Sequence, residues 1–236
     1  MGPHYSRFLD ALAGKTGEPV LFEPFIPVYL TEQLIWRRGS HLWDTVPAYL
    51  ETLLSLRERT YADVPVADMR LFGDASAEEM GEEMARLADG ELRFAALCSS
   101  PAQYTAAVTS LGVCAVGLYG WADWFSPVLQ KDTAAGVPHI AMDSDCQTAA
   151  DNGFAGWFCP GNGEHFWEQY RDKIAILGGL GDTWLAHSEP VAIHRRCEEL
   201  FAKTGNAGYL IGSGGTLCSA DYLALISLLG IYRRYR

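Results

Sequence analysis

Acidic residues follow short apolar runs at several points of this 236-residue chain. Asp68 follows the run VPVA, and Asp143 and Asp145 follow HIAM in the stretch MDSD. Short apolar runs that stop at polar or turn residues are typical of strands buried on both faces of a parallel sheet. An ionised carboxylate at the end of such a strand can accept several N–H donors and stabilise positive charge that develops on a substrate.

Aromatic and acidic residues also end the apolar run VCAVGL, where the sequence continues YGWAD. Tyr119 and Trp121 could form the walls of a pocket for a flat ring, with Asp123 as a polar tip, or they could pack in a lid. Asp143 and Asp145 are two residues apart, so they could contact a substrate or a metal together, or cap the helix that follows.

Three arginines are the best candidates for binding an anionic substrate. Arg37, Arg38 and Arg70 can each bind a carboxylate through two parallel N–H donors. Arg70 is also the nearest candidate partner for Glu23, whose carboxylate lies inside an apolar run and needs a partner when buried. The alternative for that pair is a purely structural salt bridge.

Four cysteines fall at or just after the ends of apolar runs: Cys98, Cys146, Cys159 and Cys218. Thiolates that converge on one point bind zinc tetrahedrally, and Cys146 and Cys218 are the metal-ligand candidates in this set. Burial as small apolar side chains is the alternative.

Two glycine-rich loops follow the last two apolar runs, GGLGD at 178–182 and GSGG at 212–215. In (β/α)₈ enzymes this is the usual position of a phosphate site, where backbone N–H groups meet an anion. Asp182 and Ser213 in these loops are candidate substrate-binding residues.

Eight apolar runs alternate with segments of helical pattern, which predicts a compact (β/α)₈ TIM barrel in one domain spanning 1–236. An open, doubly wound parallel sheet is the alternative. Ser76 and Glu79 form a Ser-x-x-Glu pattern typical of a helix start. The predicted strands are 20–27, 63–70, 93–100, 113–120, 138–144, 153–160, 174–181 and 209–216.

The overall composition excludes several classes of protein. The net charge of −11 argues against a broad nucleic-acid or membrane surface. Six scattered cysteines without a Cys-x-x-Cys pair indicate reduced thiols, and no apolar run is long enough to span a membrane. We therefore expect a cytoplasmic enzyme with a small-molecule substrate, and the exposed-looking tryptophans leave a homodimer possible.

Four stretches resemble the uroporphyrinogen decarboxylase family, which also contains corrinoid-dependent methyltransferases. The longest is ILGGLGDTWLAHSEPVAIHRRCEELFAKTGNAGYLIGSGG, 176–215, which is similar to the C-terminal third of that family. RFLDALAGKTGEPV, YADVPVADMR and MDSD fit the family as well. The resemblance implies a (β/α)₈ barrel with one of two activities. These are decarboxylation of uroporphyrinogen without a cofactor, and methyl transfer involving corrinoid proteins, coenzyme M or tetrahydrofolate, often with zinc.

The resemblance also implies roles for particular residues. Asp68 matches the central aspartate that binds the pyrrole N–H groups in the decarboxylases, and Tyr119 would be an orienting hydroxyl. The decarboxylase motif Arg-Gln-Ala-Gly-Arg reads here as LTEQLIWRRGSH, and the family's Gly-His-Gly has Ser213 at its centre. The methyltransferases mark zinc with His-x-Cys where this chain has MDSDC.

Three hypotheses follow. The first is an enzyme of the decarboxylase type, acting on a tetrapyrrole-like or carboxylated substrate without a cofactor, with Asp68, Tyr119 and Asp143 as catalytic residues. The second is a methyltransferase that moves a methyl group between a corrinoid protein and tetrahydrofolate or a thiol, with Cys146 beside the two aspartates. The third is a non-catalytic barrel that binds a ligand or partner. The expected substrate-binding residues are Glu23, Arg37, Arg70, Trp121, Asp145, Asp182 and Ser213.

Overall fold

The computed structural model describes residues 4–15, 17–20, 22, 40–60, 63–125, 136–215, 227–228 and 230. Its strands are β1 Val66–Asp68, β2 Phe94–Cys98, β3 Val113–Leu118, β4 His139–Ala141, β5 Gly156–Cys159, β6 Ala175–Leu180 and β7 Tyr209–Ser213. Its helices are α1 His4–Leu12, α2 Val46–Thr60, α3 Ala77–Leu87, α4 Pro101–Thr109, α5 Trp121–Trp124, α6 Cys146–Asp151, α7 Gly163–Tyr170, α8 Asp182–His187 and α9 Pro190–Thr204. Short 3₁₀ turns span Ser40–Trp43, Met69–Leu71 and Asp74–Ser76.

The seven strands form one parallel sheet in the order β1 to β7. Each strand lies beside the next one in the chain, so the sheet is wound in one direction only. A doubly wound sheet reverses its strand order at a switch point, and the alternative of an open doubly wound sheet is therefore wrong for the described strands. The predicted alternation of strands and helices is confirmed from residue 63 to residue 213.

The first predicted strand, 20–27, lies mostly outside the described residues. Its described members, Val20 and Phe22, are buried. The backbone N–H of Phe22 donates to the carbonyl of Ile211 on β7 at 3.1 Å. This segment therefore lies against the last strand of the sheet.

Apolar side chains pack on both faces of the sheet. One face carries Leu97, Ile140 and Leu177, and these residues pack in a core with Phe8 and Leu12 of α1. The other face packs against α2 to α9 in a separate and larger core. Strands buried on both faces have near-continuous apolar sequences, which is why these runs predicted a parallel sheet.

Helix α1 covers the amino end of the sheet. A Cβ on Gly156, the first residue of β5, would lie 3.1 Å from the Leu12 side chain. Arg7 of α1 forms salt bridges with Glu18 and with Asp63, the latter at 2.5 Å. With α1 at this end, the carboxyl ends of the strands are the edge left for chemistry.

We expect Arg7→Ala to destabilise the fold. Asp63 has a side-chain exposure of only 4% and would lose a cation, which costs about 3–5 kcal/mol when both partners are fully buried. Because Arg7 is 28% exposed, we expect about 2 kcal/mol. The exposed pair of Lys15 and Asp10 is the control, and Lys15→Ala should cost about 0.5 kcal/mol or less in urea unfolding. Equal losses for the two variants would contradict this role of Arg7.

Each helix in the described part of the chain is too short or too polar to cross a lipid bilayer.

Candidate active site at the carboxyl ends of the strands

Asp68 and Arg70 form a two-bond salt bridge at the end of β1. The 3₁₀ turn Met69–Leu71 brings the Arg70 side chain back over the strand end. Arg70 Nε donates to Asp68 Oδ1 at 2.8 Å and Arg70 Nη2 donates to Oδ2 at 2.7 Å. Burial alone would lower the pKa of Arg70, but its bonds to Asp68 outweigh burial and raise that pKa. This pairing gives the guanidinium one orientation.

Tyr119 stacks on the guanidinium of Arg70. The Arg70 Cζ lies 3.7 Å from the centre of the Tyr119 ring, which is cation–π distance. The strand register brings the ends of β1 and β3 close together. Asp68 pairs with Leu97 on β2, and Leu97 pairs with Gly117 on β3, two residues before Tyr119. Burial raises the pKa of Tyr119 to about 12, so its hydroxyl is neutral at physiological pH.

Asp143 and Asp145 follow β4 and differ in what they bind. Asp143 Oδ2 accepts the backbone N–H of Gly120 at 2.7 Å, which ties the loop after β4 to the loop after β3. Asp145 is the N-cap of α6, where its carboxylate accepts bonds from the backbone N–H and the hydroxyl of Thr148. The capping alternative for Asp145 is thus present in the structure, and both aspartates are exposed.

Asp182 and Ser213 lie at the ends of β6 and β7. Asp182 Oδ1 accepts the backbone N–H of Gly214 at 3.1 Å, which links the two loops. The Ser213 side chain is fully buried, and its hydroxyl donates to the carbonyl of Gly215 at 3.0 Å. Burial raises the pKa of Asp182, although its bond from Gly214 acts in the opposite direction.

Glycines let the loops after β5, β6 and β7 approach backbone to backbone. A Cβ on Gly214 would lie 1.7 Å from the carbonyl oxygen of Pro160. Gly179 has a φ of +86°, and a Cβ on it would lie 2.7 Å from the Cα of Gly163. These two positions therefore need glycine because the loops pack closely there.

The other predicted site residues are buried in the core or lie outside the described residues. Trp121 is buried in the helix-side core, where its ring packs 4.9 Å from that of Phe154. Cys146 is buried, and burial raises the pKa of its thiol to about 12. Among the described residues no group of three or more His, Cys, Asp and Glu side chains could hold a metal ion. Four predicted residues lie outside the described residues, namely Glu23, Arg37, Arg38 and Cys218.

The structure brings Asp68, Arg70 and Tyr119 into direct contact, and it links Asp143 to them through the loop that follows Tyr119. Asp182 and Ser213 form a second group at the other end of the strand order. The bridge from Arg70 to Asp68 was not predicted from the sequence, and Glu23, for which Arg70 was the nearest candidate partner, lies outside the described residues. The spacing Asp-x-Arg just after a strand was the available signal.

We expect Tyr119→Phe to preserve the stack and remove only the hydroxyl. Loss of one hydrogen bond costs about 1 kcal/mol, or about a fivefold loss of turnover, with little change in stability. In an alkaline absorbance titration, the variant should lack one tyrosine that ionises near pH 12. Tyr170→Phe removes a surface hydroxyl bonded to Gln147 and is the control for turnover. An unchanged titration curve would contradict the burial of Tyr119.

Comparison with known proteins gives a fold and no family. No family model and no curated protein matches the sequence. Among solved structures, a methyltransferase from Methanosarcina mazei matches with a TM-score of 0.68 and 10% sequence identity. The match covers 100% of this chain and 99% of that one. The chain therefore shares the fold of that methyltransferase.

Proposed function

We propose that this chain is a methyltransferase of the superfamily that contains the uroporphyrinogen decarboxylases, and that it works at the carboxyl ends of its strands. The observation that carries the proposal is the full-length likeness in fold to a methyltransferase, at a TM-score of 0.68. The stretches that resemble the superfamily in sequence agree with it, since they include β1, β6 and β7.

The proposal includes a closed barrel of eight strands. Residues 20–27, which precede β1 in the chain, would add one strand to the seven and close the sheet between β7 and β1. The hydrogen bond from Phe22 to Ile211 supports one of these two contacts. Closure would place all strand ends around a single mouth, so that Asp68 and Asp182 face one bound molecule.

A carboxylate of the methyl donor or acceptor would bind at Arg70. A protein with a net charge of −11 repels anions unless a local cation attracts them. Arg70 is 31% exposed, and Asp68 and Tyr119 hold its plane in place, so little conformational entropy is lost on binding. Arg70 would thus orient the substrate while the chemistry takes place beside it.

The described residues fit some of the superfamily's cofactors better than others. They supply no cluster of three zinc ligands. Asp143 is exposed near Tyr119 and could accept N–H donors from the pterin of a bound tetrahydrofolate. That cofactor would supply a methyl group on a ring nitrogen, and a corrinoid would arrive on a partner protein.

Decarboxylation is the second candidate, because Asp68 ends β1 where the decarboxylases have their central aspartate. In those enzymes the aspartate accepts pyrrole N–H donors. Here both oxygens of Asp68 already accept bonds from Arg70. This occupancy favours a carboxylate that positions Arg70 over one that binds a tetrapyrrole.

Corrinoid spectroscopy tests the proposal. Purified protein is mixed with methylcobalamin and coenzyme M, or with methyltetrahydrofolate and reduced cobalamin, and the visible spectrum of the corrinoid is followed. We expect demethylation or methylation of cobalt above the rate without protein. No spectral change with either pair, together with release of carbon dioxide from uroporphyrinogen, would contradict methyl transfer and support the second candidate.

A further inference from the structure

Tyr49 of α2 bonds the backbone of the residue that begins the turn carrying Arg70. Its hydroxyl oxygen accepts the N–H of Asp68 at 2.7 Å. Along a parallel strand, successive backbone N–H groups point to opposite sides, and the carbonyl of Pro65 accepts the N–H of Ala95 on β2. The N–H of Asp68 therefore points away from β2, and because β1 is first in the strand order, no described strand lies on that side. The Tyr49 hydroxyl supplies the acceptor that the described sheet does not.

The ring of Tyr49 packs against the residue that ends the same turn. Phe72 is the C-cap of the 3₁₀ turn Met69–Leu71, and its ring centre lies 5.5 Å from that of Tyr49. The ring of Trp43 also packs on Tyr49, with 5.2 Å between the two centres. Aromatic pairs at such distances attract each other, and Tyr49 is only 2% exposed. One buried side chain from α2 thus contacts both ends of a three-residue turn.

The middle of the turn is held from the core. Met69 is fully buried, and Cys98 Sγ at the end of β2 donates to the sulfur of Met69 at 3.7 Å. The backbone N–H of Arg70 donates to Asp68 Oδ1 at 3.1 Å. A long side chain keeps one orientation only when its own backbone is fixed as well. The position of the Arg70 guanidinium therefore depends on this turn as much as on the bridge to Asp68.

We propose that Tyr49 is a positioning residue of the carboxylate site, which holds the turn in the conformation that presents Arg70 to a substrate. The inference rests on the proposed binding of a carboxylate at Arg70 and adds the residue that fixes the geometry of that site. Because Tyr49 is buried, it acts on the substrate only through Arg70. Orientation affects both affinity and turnover when a guanidinium binds a carboxylate through two parallel donors.

Tyr49→Phe tests the hydroxyl separately from the ring. The ring stays against Phe72, while the N–H of Asp68 loses its acceptor. We expect the affinity for succinate to fall about fivefold, because loss of this hydrogen bond lets the turn that carries Arg70 move. Tm should fall by about 2–6 °C for the same reason. An affinity equal to that of wild type would overturn the inference.

Tyr104→Phe is the matched control for Tyr49→Phe. It also removes a buried phenol hydroxyl, one that bonds His139 Nε2 at 3.0 Å in the helix-side core. We expect this variant to lower Tm to a similar extent and to leave the affinity for succinate unchanged. Equal losses of affinity in the two variants would show that any destabilised core weakens binding, and this would also overturn the role of Tyr49.

Nitrogen-15 NMR of ligand-free protein separates this inference from the proposed function. The Nε–H of Arg70 donates to Asp68, so its signal reports the orientation of the guanidinium before any substrate binds. We expect Tyr49→Phe to shift this signal and to speed its exchange with water about fivefold, and Tyr104→Phe to change neither. An unchanged signal in Tyr49→Phe would overturn the role of Tyr49. A wild-type Arg70 signal that does not respond to succinate would instead overturn carboxylate binding, while the ligand-free spectra would still decide whether Tyr49 positions Arg70.

Discussion

Arg70→Gln is expected to lose binding of carboxylate-bearing substrates about tenfold to a hundredfold. A hydrogen bond to a charged group contributes about 1.5–3 kcal/mol, which corresponds to that range of affinity. Glutamine keeps much of the side-chain length but has no charge and fewer N–H donors. Turnover should fall at least as far, because the substrate would no longer be oriented, and initial-rate kinetics would measure both effects.

Arg86 offers a matched control for Arg70. It forms the same kind of two-bond pair, with Glu83, but on the surface of α3 and away from the strand ends. Arg86→Gln should leave binding and turnover unchanged and should have little effect on stability, because exposed ion pairs contribute little. If the two arginine variants behave alike, Arg70 has no special role in binding.

Asp68→Asn separates the two roles considered for Asp68. If Asp68 positions Arg70, the variant should retain carboxylate binding, weakened less than in Arg70→Gln, because the positive charge remains. If Asp68 is instead the central group that contacts the substrate, its loss should reduce turnover as much as the loss of Arg70 does. Rates for the two variants under the same conditions distinguish these outcomes.

Gly214→Ala is expected to have the largest effect on stability. The added Cβ would lie 1.7 Å from the carbonyl oxygen of Pro160, a backbone atom that cannot rotate away. Overpacking costs about 1–3 kcal/mol where side chains can adjust, so we expect about 3 kcal/mol or more here. At about 2–4 °C per kcal/mol for a chain of this size, Tm should fall by roughly 6–12 °C.

Gly181→Ala is the control for Gly214→Ala. Gly181 lies in the neighbouring loop with a φ of −59°, and no atom lies within 4 Å of a Cβ built on it. Its substitution should change stability by no more than about 0.5 kcal/mol. A small effect of Gly214→Ala would show that the loops after β5 and β7 are less closely packed than the structure has them.

The strands could be predicted from the sequence because their burial determines their composition. Runs such as FAALC and AILGGL are apolar throughout, as strands covered on both faces must be. Local signals were less precise at the helix ends. The helix expected from Ser76 does begin at Ala77, yet the Ser76 side chain makes no capping bond. Helix α8, only six residues long, was not predicted.

The partners of the site residues could not be predicted, because they depend on tertiary geometry. Sequence placed Asp68 and Tyr119 at strand ends, and the register of β1, β2 and β3 then brings them to either side of Arg70. Nothing local indicates that Asp182 bonds the N–H of Gly214, which is 32 residues away. Spacing along the chain identifies candidate residues, while the pairing of neighbouring strands determines which of them meet.

The central claim is that Arg70, held by Asp68, binds the carboxylate of the substrate. Nitrogen-15 NMR tests it directly, since the Nε–H groups of Arg70 and Arg86 both donate to carboxylates at 2.8 Å and should be visible. On titration with succinate, we predict that the Arg70 signal shifts and saturates while the Arg86 signal stays in place. An Arg70 signal that does not move, or that moves only as much as that of Arg86, would contradict the claim.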